Sequence, residues 1–251
     1  MKTLRKALTI LRQLARADGA LGVTDLSVAT GLDKAIVHRA LKAFVDEKLV
    51  AQDPASRKYR LGPGWLQMAG SHLAQLQPVE VAKPHLLRLW AHTNETINLS
   101  VQHDLEVMRV LAFESRMNVR VASRLGEVAP LSCTAAGKVF LAFGPATLCD
   151  QMIAAGLEPR QPKAITDPER MREEIALTRR RGYGTDLEES DLDYSAIGAP
   201  VIDHDGHCVA AVAISMPVRR YQVADIDQLV EQLMDCVQAI SQDLGGTLPP
   251  A

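Results

Sequence analysis

The chain has 251 residues, 47% of them hydrophobic and 23% charged, with a formal net charge of −2. That composition suits a folded globular protein with room for two separate cores, and it excludes low-complexity and fibrous chains. No apolar run approaches the roughly 18–20 residues needed to cross a bilayer. Charge is unevenly divided. Residues 1–64 hold twelve Lys/Arg against six Asp/Glu, and residues 65–251 hold sixteen against twenty-four. A basic first lobe on an acidic body suits a polyanionic partner for the first lobe only. The four cysteines (Cys133, Cys149, Cys208, Cys236) form no CxxC and no short pairing. Reduced thiols are therefore favoured over a disulfide framework or a zinc site. The N-terminus opens on a charged amphipathic stretch rather than a signal peptide, so the expected location is the cytoplasm, with no membrane partner.

In chain order, residues 4–16 place Leu4, Leu8, Leu11 and Ala15 at helical spacing, and residues 18–20 end that helix. Residues 24–30 read as a short helix with Thr24 at its N-cap, and Gly31 allows a tight turn. Asp33 caps a second helix running to about Lys48. Val37, Ala40, Leu41, Phe44 and Val45 share one side of it, and Ala35, His38, Arg39 and Lys42 share the other. Two short helices joined by a Gly turn, the second with a basic outer face, form a helix-turn-helix. Two brief strands follow, over 49–52 and 57–61, joined by Asp53-Pro54-Ala55-Ser56 with Asp and Pro at favoured turn positions. This hairpin is a wing, and Arg57, Lys58 and Arg60 make it basic.

A recognition helix reads base edges mainly with its first turns. Lys34, Ala35 and His38 are therefore the base-contact candidates, with Ala35 available to a thymine methyl. Arg39 suits guanine or phosphate. Lys42, Arg57, Lys58 and Arg60 suit phosphate or the minor groove. The expected partner is double-stranded operator DNA.

Gly62-Pro63-Gly64 breaks the chain. Residues 65–75 read as an apolar connecting helix that packs on a second copy or on the body, and residues 79–92 as a further helix. The period then changes. Strands are expected over 96–103, 105–114 and 119–124, then a helix opened by residues 133–138 and running to Phe143. Helices over 146–155 and from about 167 to Arg181 follow, the latter capped by either Thr166 or Asp167. Strands over 183–187, 195–203 and 207–216 and a final helix over 224–244 complete an α+β body with an antiparallel sheet. The small residues Cys133, Thr134, Ala135, Ala136 and Gly137 leave helix-start N–H groups open to an anion; equally, they allow helix and sheet to pack closely.

Taken together, these motifs resemble the IclR-type (isocitrate lyase regulator) transcriptional regulators. The likeness runs over roughly residues 3–245. It is carried by Lys6-Ala7-Leu8, Gly31-Leu32-Asp33-Lys34, Val37-His38-Arg39, Tyr59-Arg60-Leu61-Gly62, Cys133-Thr134-Ala135-Ala136-Gly137-Lys138, Arg181-Gly182-Tyr183, Asp186 to Glu189, Ala199-Pro200-Val201 and Ser215-Met216-Pro217. The resemblance implies two domains and a linker. These are a winged helix-turn-helix over 1–63, mostly α with a β-hairpin wing, a linker helix over 64–78, and a C-terminal α+β GAF-like effector-binding and oligomerisation domain with an antiparallel sheet over 79–246. A tail occupies 247–251. It further implies a homodimer or dimer of dimers that represses or activates genes in response to a small carboxylate or aromatic-acid effector, with no cofactor and no resident metal. By the same resemblance Cys133, Thr134, Ala135, Ala136, Asp186, Ala196 and Ser215 surround the effector. Position 196, often Cys in relatives, is Ala here. Position 213, Ser in some relatives that bind very small acids, is also Ala. Both departures point to a roomier, less polar pocket.

Three other readings compete. Cys133 at a helix start with a distant His as base would make a cysteine-dependent enzyme, but no local signature links them. His204 and His207 with Asp203 and Asp205 would make a zinc sensor, although polar residues belong on a hairpin turn anyway. A third is a dimeric DNA-binding protein that senses nothing.

Overall fold

The computed structural model describes residues 2–65, 67–68 and 77–248. The chain divides into two compact units at the boundary between residues 75 and 76.

The first unit holds α1 (Lys2–Arg16), α2 (Val23–Thr30), α3 (Lys34–Asp46), β1 (Val50–Gln52) and β2 (Tyr59–Leu61). Ile10, Leu11 and Leu14 of α1, Leu26 of α2, Val37 and Leu41 of α3, Val50 and Tyr59 form its core. Of the expected α1 stripe, Leu11 is buried, as is Leu14 beside it, but Leu4 is 65% exposed and Leu8 42%, and Ile10 enters the core instead. Leu8 and Ala15 border a surface groove beside Trp65. Val45 also lies outside the core. Gly22, rather than Thr24, is the N-cap of α2, and Asp25 accepts the Gly22 N–H at 2.9 Å. Gly31 closes α2 in the left-handed region, at φ 67°. Leu21 pairs with Tyr59 as an isolated bridge beside the β1–β2 hairpin.

Residues 64, 65, 67 and 68 are helical. Most of the expected connecting helix, residues 66 and 69–76, lies outside the described residues.

The second unit is a six-stranded antiparallel sheet, ordered β5-β4-β3-β8-β7-β6, with helices on both faces. Its strands are β3 (Thr96–His103), β4 (Glu106–Phe113), β5 (Val128–Pro130), β6 (Gly184–Leu187), β7 (Tyr194–Ile202) and β8 (Cys208–Pro217). Helices α4 (Gln77–Thr93) and α9 (Ile226–Asp243) cover one face, where Leu86, Leu89, Leu233 and Val237 meet Ile97, Leu99, Val212 and Ile214. Helices α5 (Ala135–Phe143), α6 (Leu148–Ala155) and α7 (Pro168–Arg181) form the core on the other side around Phe140, Met152 and Met171. A single-turn α8 (Val218–Tyr221) follows β8. Asp167 caps α7 with Pro168 in its first turn, and Gly182 ends it at φ 83°.

Residues 119–124 are not a strand; the third strand of the sheet's first half is β5. Side chains hold the segment instead of a ladder. Thr96 Oγ1 donates to Val121 O at 2.8 Å, Ser123 N donates to Glu114 Oε1 at 3.0 Å, and Arg220 donates to Val119 O at 2.8 Å. The backbone there has found partners without a neighbouring strand, so alternation in the sequence had no sheet to report.

Candidate functional site

The basic face of the first unit is built by α3 and the hairpin. Asp33 Oδ1 accepts the Ala35 N–H at 2.7 Å and sets where α3 begins. With Val37 and Leu41 buried, helical geometry turns Lys34, Ala35, His38, Arg39 and Lys42 outward, and all five are exposed. In the hairpin, Asp53 Oδ1 accepts from Ala55 N, Ser56 N and Ser56 Oγ. The hydrogen bonds from Ser56 hold its carboxyl below the ordinary carboxylate value. Arg57 sits in this turn at φ 58° and not in a strand, so β2 starts two residues later than the alternation suggested. Arg57, Lys58 and Arg60 are exposed, while Tyr59 between them is buried. Period-2 geometry puts the two flanking cations on the outer side of the ribbon. Of these cations, Arg60 is near enough to Asp53 to help hold that carboxyl low.

The second unit contains a cavity where the sheet meets the start of α5. Alternation along the strands explains its lining. Ile97 and Leu99 point into the core against α4 and α9, so Asn98 and Ser100 point the other way. The same rule sends Ala196 and Ala213 into the cavity and Ile197, Val212 and Ile214 away from it. An inner chamber of about 30 Å³ is lined also by Arg109, Glu127, Tyr194, Thr134, Ala135 and Ala136. An outer chamber of about 380 Å³ shares Arg109, Glu127, Ala129, Thr134 and Tyr194, and has Arg120, Arg160, Ser190 and Asp193 on its walls. The inner space is the size of a water or a ligand's polar head; the outer space admits a small organic body.

Helix α5 begins at Ala135, because Thr134 is extended and its Oγ1 accepts the Gly137 N–H at 3.0 Å. The N–H groups of Ala135 and Ala136 have no acceptor within the helix. Gly137 lies so close to the preceding turn that a Cβ there would come within 2.2 Å of Leu131 O. Arg109 Nη1 is paired with Glu127 Oε2 at the cavity wall. Behind the wall, Ser215 Oγ lies 3.1 Å from Asn98 Nδ2 and 2.9 Å from the Tyr194 hydroxyl. Ser123 Oγ donates to Asn98 Oδ1. Burial pushes the Tyr194 phenol upward, so it stays a hydroxyl donor.

Of the residues expected around an effector, Thr134, Ala135, Ala136 and Ala196 line the inner chamber. Three do not line either chamber. Cys133 belongs to the 3₁₀ turn Leu131–Cys133 ahead of the helix, with Sγ towards Pro130 O. Asp186 is fully buried and accepts from Glu189 N, Ser190 N and Ser190 Oγ, which makes it a structural carboxylate at the end of β6. Ser215 stands one layer back, bonded to the lining side chains. The inner chamber combines small apolar and polar walls. Ala196 and Ala213 remove polar groups, but Asn98, Ser100, Arg109, Glu127 and Tyr194 supply others, and the inner chamber is small. None of those five is among the residues expected around an effector, and of them only Asn98 and Ser100 carry a local sequence signal. The signal was present in Thr96-Ile97-Asn98-Leu99-Ser100, where polar residues alternate with apolar ones in a strand whose apolar face is already accounted for.

Two competing chemistries fare poorly on geometry. Burial pushes the Cys133 thiol up to about 12, the opposite of an activated nucleophile. Asp203, His204 and Asp205 bring ligand atoms within 4.8 Å of one another, but Asp203 Oδ1 is engaged by the N–H groups of Asp205 and His207, as a hairpin turn requires. No helix among the described residues is long and apolar enough to cross a membrane.

The chain matches the profile of the bacterial transcriptional regulator IclR C-terminal domain over residues 71–242 and that of the IclR helix-turn-helix domain over residues 3–54. It is 31% identical to the DNA-binding transcriptional repressor YiaJ of Escherichia coli K12, over 98% of this chain and 89% of that protein. It is also 31% identical to the glycerol operon regulatory protein of Streptomyces griseus, over 98% and 97%. The crystal structure of the Thermotoga maritima IclR superposes with a TM-score of 0.83 at 27% identity, covering 98% of this chain and 99% of that one. An IclR homolog from Microbacterium hydrocarbonoxydans, solved as a complex with 4-hydroxybenzoate, shares the fold with a TM-score of 0.83 at 23% identity, over 96% and 98%. With both lobes matched along nearly the whole chain, and with a helix-turn-helix joined to an antiparallel α+β body, this protein belongs to the IclR family of DNA-binding transcriptional regulators.

Proposed function

We propose that the protein binds operator DNA through α3 and the wing, and that a small organic acid held in the second unit controls this binding. Lys34, Ala35, His38 and Arg39 reach base edges, while Lys42, Arg57, Lys58 and Arg60 hold phosphates. The observation that carries the DNA half is an exposed cationic face on α3 and the wing: Lys34, His38, Arg39, Lys42, Arg57, Lys58 and Arg60 all lie at the surface. The effector half is supported by the small polar cavity at the start of α5, which contains a cation and open helix-start N–H groups. The working form is a homodimer or a dimer of dimers, which needs half-sites about one helical turn, ~34 Å, or a multiple apart.

The test is a gel shift on the promoter beside the encoding gene, repeated with 4-hydroxybenzoate and a panel of other small carboxylates. The expected result is a retarded band whose intensity at least one acid changes. Retardation that no acid alters favours a DNA-binding protein without sensing. No retardation at low salt overturns the reading.

A further inference from the structure

We infer that Glu127 is a built-in competitor for the effector: its carboxylate holds Arg109, and the carboxylate of a small monoacid takes its place on binding. This rests on the proposal that the cavity holds an organic acid, and it names the anchoring residue and the residue that sets the threshold.

Four observations converge. First, Arg109 and Glu127 both line the inner and the outer chamber, so their contact lies where a ligand would enter. Second, the contact uses a single guanidinium nitrogen, Nη1, with Glu127 Oε2. A guanidinium carries five N–H donors in a fork suited to a bidentate carboxylate, so the existing partner leaves most of that capacity unused. Third, the two side chains differ in burial: Arg109 is 18% exposed and Glu127 49%. Releasing Glu127 returns a half-hydrated carboxylate to water, a small cost, because exposed ion pairs contribute little. Fourth, the main chain holds Glu127 in place independently of its side chain. Arg109 N donates to Glu127 O at 3.0 Å, and Gly126 N donates to Arg109 O at 2.8 Å. The carboxylate can therefore swing away while the backbone keeps it close enough to return. A second source of positive potential, the start of α5 at Ala135 and Ala136, faces the same inner chamber and favours an anion seated deeper than Glu127.

The consequence is a threshold. A tethered carboxylate is present at high effective concentration, so it weakens every incoming acid by a common factor and leaves uncharged ligands untouched. Replacing Glu127 should tighten acids as a class.

The experiment uses the full chain and calorimetric titration with benzoate, 4-hydroxybenzoate and glycerate, each beside its amide. Every acid that the wild type binds should bind Glu127→Gln more tightly, by about three- to tenfold, with no gain for the amides. Arg109→Gln should lose about tenfold or more. The gain from Glu127→Gln should vanish when Arg109→Gln is already present, because the competition needs both groups. Unfolding midpoints of each variant check that the fold is intact. An acid that binds Glu127→Gln no better than the wild type, or binds Arg109→Gln as well as the wild type, overturns the inference and leaves acid sensing standing. If no acid binds either the wild type or Glu127→Gln, the inference fails, and acid sensing fails with it if the gel shift is also unmoved.

Discussion

Lys138 Nζ lies 2.5 Å from Glu189 Oε1, and both side chains are buried, 1% and 10% exposed. The ammonium also donates to Thr185 O at 2.9 Å and faces Glu174 Oε1 at 3.8 Å. This pair ties α5 to the segment after β6, and so fixes the helix whose first turn borders the cavity. Glu189 Oε2 is buried with no partner among the described residues, and burial, opposed by Lys138, pushes its carboxyl upward. Removing one partner of such a pair strands the other. Lys138→Met should therefore cost ~3–5 kcal/mol, and a Lys138→Met, Glu189→Leu double substitution less than that. Urea unfolding of the three proteins measures the difference.

Asp186 gives a pH signature. Burial raises its carboxyl above the ordinary value, against hydrogen bonds from Ser190 and Glu189. A raised folded value means that the folded state holds the proton more tightly than the unfolded one. Its stabilising contribution is complete below the ordinary aspartate range and is lost as pH rises through the raised folded value. Asp186→Asn should remove that part of the slope. Denaturant midpoints taken from acid to neutral pH should fall less, or rise more, with pH in the variant than in the wild type, and an unchanged slope would rule the assignment out.

Operator binding should weaken steeply with salt, with a log–log slope of about −0.9 for each phosphate neutralised. Arg57→Ala, Lys58→Ala and Arg60→Ala should each flatten that slope by roughly one phosphate's worth and weaken all sequences alike. Arg39→Ala should instead cost ~1–3 kcal/mol at particular base pairs if it reads guanine. Titrations against operators substituted at single positions separate the two behaviours.

Gly137→Ala should destabilise the second unit, by ~1–3 kcal/mol, because the added methyl meets Leu131 O at 2.2 Å and neither backbone can move without shifting α5. Thermal unfolding reads the loss. A neutral outcome would mean that the turn before α5 is softer than its packing implies.

Cys133, Cys208 and Cys236, all with thiols pushed up to about 12 by burial, should resist iodoacetamide at neutral pH until the protein unfolds. Mass spectrometry of alkylated peptides tests this. Rapid modification of Cys133 in the native protein would restore the case for a reactive thiol there.

The DNA-reading lobe was almost fully legible in the sequence. Its features are local: a capping aspartate at 33, a left-handed Gly31, an apolar stripe through Val37 and Leu41, and a turn begun by Asp53. Each is set by residues within a few positions of one another, so periodicity and turn chemistry suffice. Even there, Leu4 and Leu8 of α1 lie outside the core, because which apolar residues turn inward depends on what packs against them.

The cavity was decided by tertiary structure. Glu127, Arg109, Asn98 and Tyr194 lie on or beside four different strands and meet through the strand order β5-β4-β3-β8-β7. Asp186 and Cys133 carried the chemistry expected of a site, yet the fold spent them on turn hydrogen bonds and core packing. A sequence states which faces of its strands are polar. It does not state which of those faces will be stacked over a helix start, because long-range register is a property of the whole sheet and of no segment within it.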